Sequence, residues 1–313
     1  MPQGDPGTRY IYAISSTAAA DFAAVMARAA RVYRSFDSAL ADTCQSAAQR
    51  AWSYLEANPS IVPAGGFKNP SDTFTGEYGD SDDRDERLWA AAELYHTVGL
   101  DVYRNYYGSR YTSKGLFTGS MSWPNLTAMA HLTYLTCRRQ GVDTSIQLQL
   151  QQSLTSYCDN LVAKRNSTGF RILLKPGEFW WGCNSDLLNN AILLLIGSWK
   201  LNKQSYEDVA LDQLHYILGA NPHDQSFVTG LGSNPTRYPH HRPSASDGVA
   251  APVPGLLAGG PDQYLDDDVL KRLFSTSTPP MLCYVDDVGS YASNEIAINW
   301  NAPLVVVSGY FFS

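Results

Sequence analysis

The chain has 313 residues, with 23 Lys plus Arg against 30 Asp plus Glu, a formal net charge of −7. Hydrophobic residues make up 44%, aromatic residues 12% and charged residues 17%. A disordered chain would be richer in charge and poorer in rings, a nucleic-acid binder would carry a basic excess, and no apolar run approaches the ~20 residues of a membrane helix.

The first residues, Met1-Pro-Gln-Gly-Asp-Pro-Gly, hold neither a basic segment nor an apolar run, so no signal peptide is expected in this chain. Helical periodicity then dominates. Phe22, Val25, Met26, Ala29, Val32 and Tyr33 recur at three and four residues and predict one apolar helix face, with Thr17 or Ser16 as the cap. A second helix is predicted from Asp37 to Glu56, with Leu40, Cys44, Ala47, Ala51 and Leu55 on its stripe. Asn58-Pro59 ends it. A third is predicted over 83–97, with Leu88, Ala91, Ala92 and Tyr95 inward. Further helices are expected near 124–139, 145–162, 186–201, 206–218 and 299–311. No β-alternating region competes, no fixed-period repeat occurs and no linker composition breaks the chain. The pattern reads as all-α, an array of helical hairpins or a helical barrel. Residues 219–290 differ: they form a long polar and aromatic loop region, and long ordered loops on helical scaffolds usually carry function.

Five cysteines lie far apart with no C-x-x-C pair, which excludes a zinc ribbon and predicts buried free thiols, with one or two disulfides if the chain is secreted. Asn125-Leu-Thr and Asn166-Ser-Thr fit the glycosylation sequon, a pattern common by chance. The 19 Tyr and 7 Trp suit a flat, uncharged ligand such as a sugar, and equally an aromatic core.

Four stretches could carry chemistry. His240, His241 and Arg242 follow Pro239 in a Gly/Pro loop; two histidines without a third ligand make a poor zinc site, but His plus Arg can donate several bonds to hydroxyl oxygens. Glu295 is expected at a loop-to-helix junction, where Tyr291, Ile296 and Trp300 could desolvate it and raise its pKa, as a general acid needs. Asp286 and Asp287 could add like-charge pressure or hold a hydrogen-bond network; a first-turn acid favoured by the helix dipole is the plainer alternative for Glu295. Asp80, Asp82, Asp83, Asp85 and Glu86 invite a calcium reading, although the spacing is not an EF-hand: counting from Asp80, position six is Asp85 and position twelve Ala91. A solvated helix N-terminus explains them as well. Trp180 and Trp181 could form a sugar-stacking platform or a core wedge.

Together these stretches resemble family 9 glycoside hydrolases, which are mostly endoglucanases. Tyr216-Ile-Leu-Gly-Ala-Asn-Pro222 and the segment from Ser226 to Arg242 resemble one signature, with an active-site histidine at His240 and an arginine at Arg242. The pattern aromatic-x-Asp-x4-aromatic-x3-Glu falls on Tyr284, Asp286, Tyr291 and Glu295, and the Asn-Ala that follows it on Asn301-Ala302. Gly255-Leu-Leu-Ala-Gly-Gly-Pro261 matches a family loop. Upstream, the run from Ser16 to Val25 and the helix carrying Asp85, Glu86 and Trp89 look like family helices, so the likeness covers almost the whole chain.

The resemblance implies an (α/α)6 barrel whose cleft binds a β-1,4-glucan, and inverting hydrolysis of internal bonds in cellulose-type glucans. It implies catalytic roles at Glu295, the general acid, at Asp286 and at His240, with Arg242, Trp181 and Tyr291 holding substrate. No cofactor is required for the chemistry; a structural calcium seen in some members is implied at Asp85 and Glu86. The partner expected is cellulose or a cello-oligosaccharide, with no nucleic acid and no membrane, and the full-length parent is expected to be secreted.

One departure is large. The family's base comes from an Asp-Ala-Gly-Asp loop, and that tetrapeptide does not occur here. In family order it would precede Ser16. The reading is therefore one partial catalytic domain over 1–313 that lacks the first barrel helices, with apolar helix faces exposed and weak or no turnover. The alternative is a non-catalytic glucan-binding or regulatory protein that keeps the cleft and has lost the base.

Overall fold

A computed structural model describes residues 11–73 and 75–312; the amino-terminal stretch read above for a leader lies outside them. The described chain is helical, and paired extended backbone occurs only as isolated bridges. It resolves into two compact units, one reaching Leu154 and the other starting at Thr155.

The earlier unit begins with α1 (Ser16–Tyr33) and α2 (Ser38–Ala57). Ser15, not Thr17 or Ser16, caps α1: its side chain accepts from the Ala18 amide. The predicted face of α1 is also corrected. Phe22, Val25, Val32 and Tyr33 are exposed, while Ser16, Ala20, Ala23, Ala24, Ala27 and Ala30 are buried. Alanine on the inner face lets α1 pack closely against its neighbours, and small size outweighs hydrophobicity there. On α2, Asp37 is the cap, and the buried stripe is Ala41, Cys44, Ala48, Trp52 and Leu55, so the predicted Leu40, Ala47 and Ala51 each lie one residue off.

Next comes α3 (Arg84–Val98), which is buried on all sides from Asp85 to Tyr95. A helix without a polar face must pair its charges internally. Arg87 binds the Asp83 carboxylate at 2.8 Å and donates to the Leu55 and Asn58 carbonyls. Glu93 takes the Arg31 guanidinium and the hydroxyl of Thr133. The short helix α4 (Asp101–Gly108) has no counterpart in the sequence reading; α5 (Thr127–Thr136) matches the helix expected near 124–139, trimmed at both ends.

Helix α6 (Thr144–Asn166) crosses the junction between the units. The later unit contains α7 (Cys183–Leu201) and α8 (Gln204–Ile217), an antiparallel hairpin turned at Asn202 in the left-handed region. A long loop follows, broken by the short helices α9 (Arg242–Ser246), α10 (Asp268–Leu273) and α11 (Tyr291–Asn294), before α12 (Ile298–Phe311) packs on α7 and α8. Ile298 is 93% exposed and Val305 70%, so α12 turns an apolar face outward. All five cysteines are buried and unbridged. Among the described residues no helix is long and apolar enough to cross a membrane.

Candidate active site

Three pieces of the long loop are stitched side by side by backbone bonds. Val228 pairs with Leu257, Ala258 with Ile296, and His240 with Glu295. The His240 amide donates to the Asn294 carbonyl at 2.8 Å, and the Gly259 amide to the Glu295 carbonyl at 3.0 Å. Asn301, in the first turn of α12, accepts the Leu257 amide at 2.7 Å and ties this arrangement to a long helix. Residues 29 to 55 apart in sequence are thereby held on adjacent backbones.

Glu295 follows α11 in extended backbone and is half-buried. Burial raises its carboxyl above the ordinary value; a hydrogen bond from Trp181 and the nearby positive charges of His240 and Arg242 pull it back down. The Trp181 indole N–H donates to Glu295 Oε2 at 3.1 Å. The same indole ring lies 5.2 Å from the Tyr291 ring, which in turn lies 6.0 Å from the His240 ring. Glu295, Trp181, Tyr291, His240 and Arg242 are thus brought together, all within the later unit. The desolvating surroundings differ from expectation: Trp181 touches the carboxylate, whereas Trp300 packs beneath Gly182. Gly182 sits at φ 90°, and a Cβ there would come within 2.6 Å of the Trp300 ring, so the turn that presents Trp181 needs glycine.

His240 Nδ1 lies 2.6 Å from the Val288 carbonyl. A carbonyl only accepts, so Nδ1 carries the hydrogen and Nε2 is the nitrogen left for a ligand. Arg242 is exposed at the start of α9. Asp286 has a different setting. Its Oδ2 accepts the Arg237 amide at 2.7 Å and the Gln225 amide group at 3.2 Å; its Oδ1 accepts the Tyr238 amide at 2.8 Å and Asn294 at 3.1 Å. Of the two possibilities raised for it, the hydrogen-bond network is the one formed, and it fixes the loop that leads into His240. Sequence reasoning missed Asn294, a fully buried hub that accepts the Tyr284 hydroxyl at 2.8 Å and donates to the Tyr238 carbonyl at 2.7 Å.

Asp85 and Glu86 lie in the earlier unit, in the first turn of α3. Asp85 binds Lys114 Nζ at 2.9 Å and accepts the Leu126 amide at 2.7 Å. Both carboxyl oxygens of Glu86 are buried and accept no bond among the described residues, as are Asp21 Oδ1 and Asp80 Oδ2. Burial first, then repulsion from Asp85, Asp80 and Asp21, pushes the Glu86 carboxyl far up. Buried carboxylate oxygens without donors have the chemistry of a hard-cation shell. Even so, among the described residues no three His, Cys, Asp or Glu side chains are grouped as a metal shell.

The sequence profile of glycosyl hydrolase family 9 matches residues 1–308. The chain belongs to this family. It is 34% identical over 307 residues to Endoglucanase D of Acetivibrio thermocellus, a match that spans 97% of this chain and 46% of the relative. Among solved structures, a thermostable endoglucanase from Alicyclobacillus acidocaldarius is 34% identical with a TM-score of 0.92, covering 100% of this chain and 58% of that one. AaCel9A in complex with cellobiose-like isofagomine is 35% identical at the same TM-score and the same coverage. The chain therefore spans about half the length of the relatives it matches. The all-α class, as a part of an (α/α)6 barrel, agrees with these likenesses.

Proposed function

We propose that this chain supplies the acid and sugar-holding part of a site that hydrolyses internal β-1,4-glucosidic bonds in cellulose-type glucans. The single observation that carries the proposal is Glu295: a carboxyl raised by burial, with an indole donor at 3.1 Å and His240 and Arg242 beside it. A raised carboxyl keeps its proton to higher pH and can deliver it to a leaving glycosidic oxygen. Trp181 and Tyr291 offer ring faces to a pyranose. His240 Nε2 and the Arg242 guanidinium are assigned to sugar hydroxyls, and Asp286 holds the loop on which His240 stands.

Inversion needs a second carboxylate about 6.5–9.5 Å from the acid, with a water between base and sugar. No Asp-Ala-Gly-Asp occurs in the 313 residues, so we assign no base and expect little or no turnover from this chain. The same observation favours a second reading, a glucan-binding protein that does not hydrolyse. The parent is proposed to be a secreted endo-β-1,4-glucanase. A calcium ion is proposed at Glu86 and Asp85, supported by the two unpartnered Glu86 oxygens; it would neutralise the buried carboxylates and takes no part in the chemistry.

The test is an assay of the purified chain on soluble cellulose derivatives together with cellotetraose binding. Binding without hydrolysis fits the proposal. Turnover that Glu295→Gln abolishes overturns the expected inactivity, and absence of binding removes both readings.

A further inference from the structure

The segment bearing Tyr291 and Glu295 rests on a turn that no sequence motif singled out. Asp262 starts it, accepting the Tyr264 amide at 3.0 Å and the Asp266 amide at 2.8 Å. The turn reaches both sides of the site. On one side the Gln263 amide donates to the Phe179 carbonyl at 2.8 Å, two residues before Trp181. On the other, the Tyr291 hydroxyl donates to the Asp266 carbonyl at 3.1 Å. Leu265, Leu270, Cys283 and Ala292 form a small apolar cluster of its own beneath it.

Asp267 ends the turn and is fully buried. Its Oδ1 accepts the Leu270 amide at 2.8 Å, an N-cap on α10. Its Oδ2 does something a cap does not require. It accepts the Ser290 hydroxyl at 2.7 Å and the Ala292 amide at 2.9 Å, the residues on either side of Tyr291. Ser290 is the N-cap position of α11, whose C-cap is Glu295. Only a carboxylate can accept on both oxygens at once; a carboxamide presents a donor at one of them.

We propose that Asp267 is a positioning residue of this site: its second oxygen clamps the first turn of α11, so that the Tyr291 ring and the Glu295 carboxyl are held against Trp181. The role rests on the functional reading above, because it matters to glucan only if those three side chains meet glucan. It touches neither sugar nor acid itself.

Asp267→Asn separates the two jobs of the residue. Asn is as good an N-cap as Asp, so α10 stays capped. Its NH2 group then faces the Ala292 N–H, donor against donor, and the clamp is lost. Two readouts on the intact chain decide the matter: calorimetric titration with cellotetraose, and the Trp181 indole N–H resonance, which reports its bond to Glu295. We expect Asp267→Asn to weaken cellotetraose binding about tenfold, equivalent to about 1.4 kcal/mol, and to move the indole resonance toward that of a free indole. Asp268→Asn, a change of charge on the exposed neighbour, leaves both as in the parent chain. Wild-type affinity and an unmoved indole resonance in Asp267→Asn overturn the proposal, since mere capping predicts that result. If the parent chain binds no cellotetraose, the functional reading fails and the indole resonance alone decides for or against the clamp. If Asp267→Asn does not fold, Ser290→Ala removes one of the two Oδ2 donors. A partial shift of the indole resonance supports the clamp, and no shift overturns it.

Discussion

The Trp181 indole opposes the burial of Glu295: its N–H stabilises the ionised carboxyl that burial disfavours. Trp181→Phe keeps a ring against Tyr291, 5.2 Å away, and deletes only the donor. A hydrogen bond to a charged group contributes about 1.5–3 kcal/mol. Glu295 is half-exposed, and solvent screening brings that down to about 1 kcal/mol. Losing that contribution should push the Glu295 carboxyl further above its ordinary value. The assay is a pH titration of the Glu295 Cδ resonance in 13C-labelled protein, assigned with Glu295→Gln. An upward shift means that Trp181 tunes the acid as well as offering a face to sugar. A midpoint that stays put or moves down refutes the reasoning, because it leaves no stabilisation of the charged form to remove.

Three further outcomes follow from other parts of the molecule. His131 is fully buried, its Nε2–H donating to the Gly115 carbonyl and its Nδ1 accepting the Tyr107 hydroxyl, and burial lowers its pKa to about 4. The unfolded chain binds a proton near pH 6.5 that the folded one refuses, so stability present above about 6.5 should fall by about 3 kcal/mol as pH drops to about 4. Urea midpoints measure this, and an equal acid dependence in His131→Asn would show that another group is responsible. Millimolar calcium should raise the thermal midpoint of the parent chain but not that of Glu86→Gln; equal shifts, or none in either, contradict the calcium assignment. The apolar outer face of α12 should drive self-association, with sedimentation coefficients that rise with concentration and do so less in Val305→Lys; monomers at all concentrations sink that expectation.

The long helices were legible because apolar spacing and breakers agree. Leu88, Ala91, Ala92 and Tyr95 of α3 are buried as read, and Asn58 ends α2. The face of α1 was misread because its large apolar residues lie opposite an alanine stripe, and periodicity weighted by hydrophobicity favours the large ones. Helix α4 has a period, with Tyr103 and Tyr107 buried four residues apart, but it spans only eight residues, and two turns are too short for that period to stand out in the sequence. Spacing placed Tyr291, four residues before it, beside Glu295 but left the helix-dipole reading open; the family resemblance is what put His240 and Arg242 in the same site, and both come to it. What spacing hid was support. Asn294 and Asp267 act through bonds to residues distant in sequence, so local spacing pointed to neither. The role of Asp286 as a loop brace likewise depends on amides almost fifty residues away, at Arg237 and Tyr238.

The most direct test of the proposed site is calorimetric titration of cellotetraose into the parent chain and into Trp181→Ala. Removing the ring deletes a stacking face and the donor to Glu295 together, a loss of about 1–3 kcal/mol. Saturable binding by the parent chain, weakened at least about tenfold in the variant, is the predicted result. No binding by the parent chain, or equal binding by both, would contradict a glucan site built on Trp181, Tyr291 and Glu295.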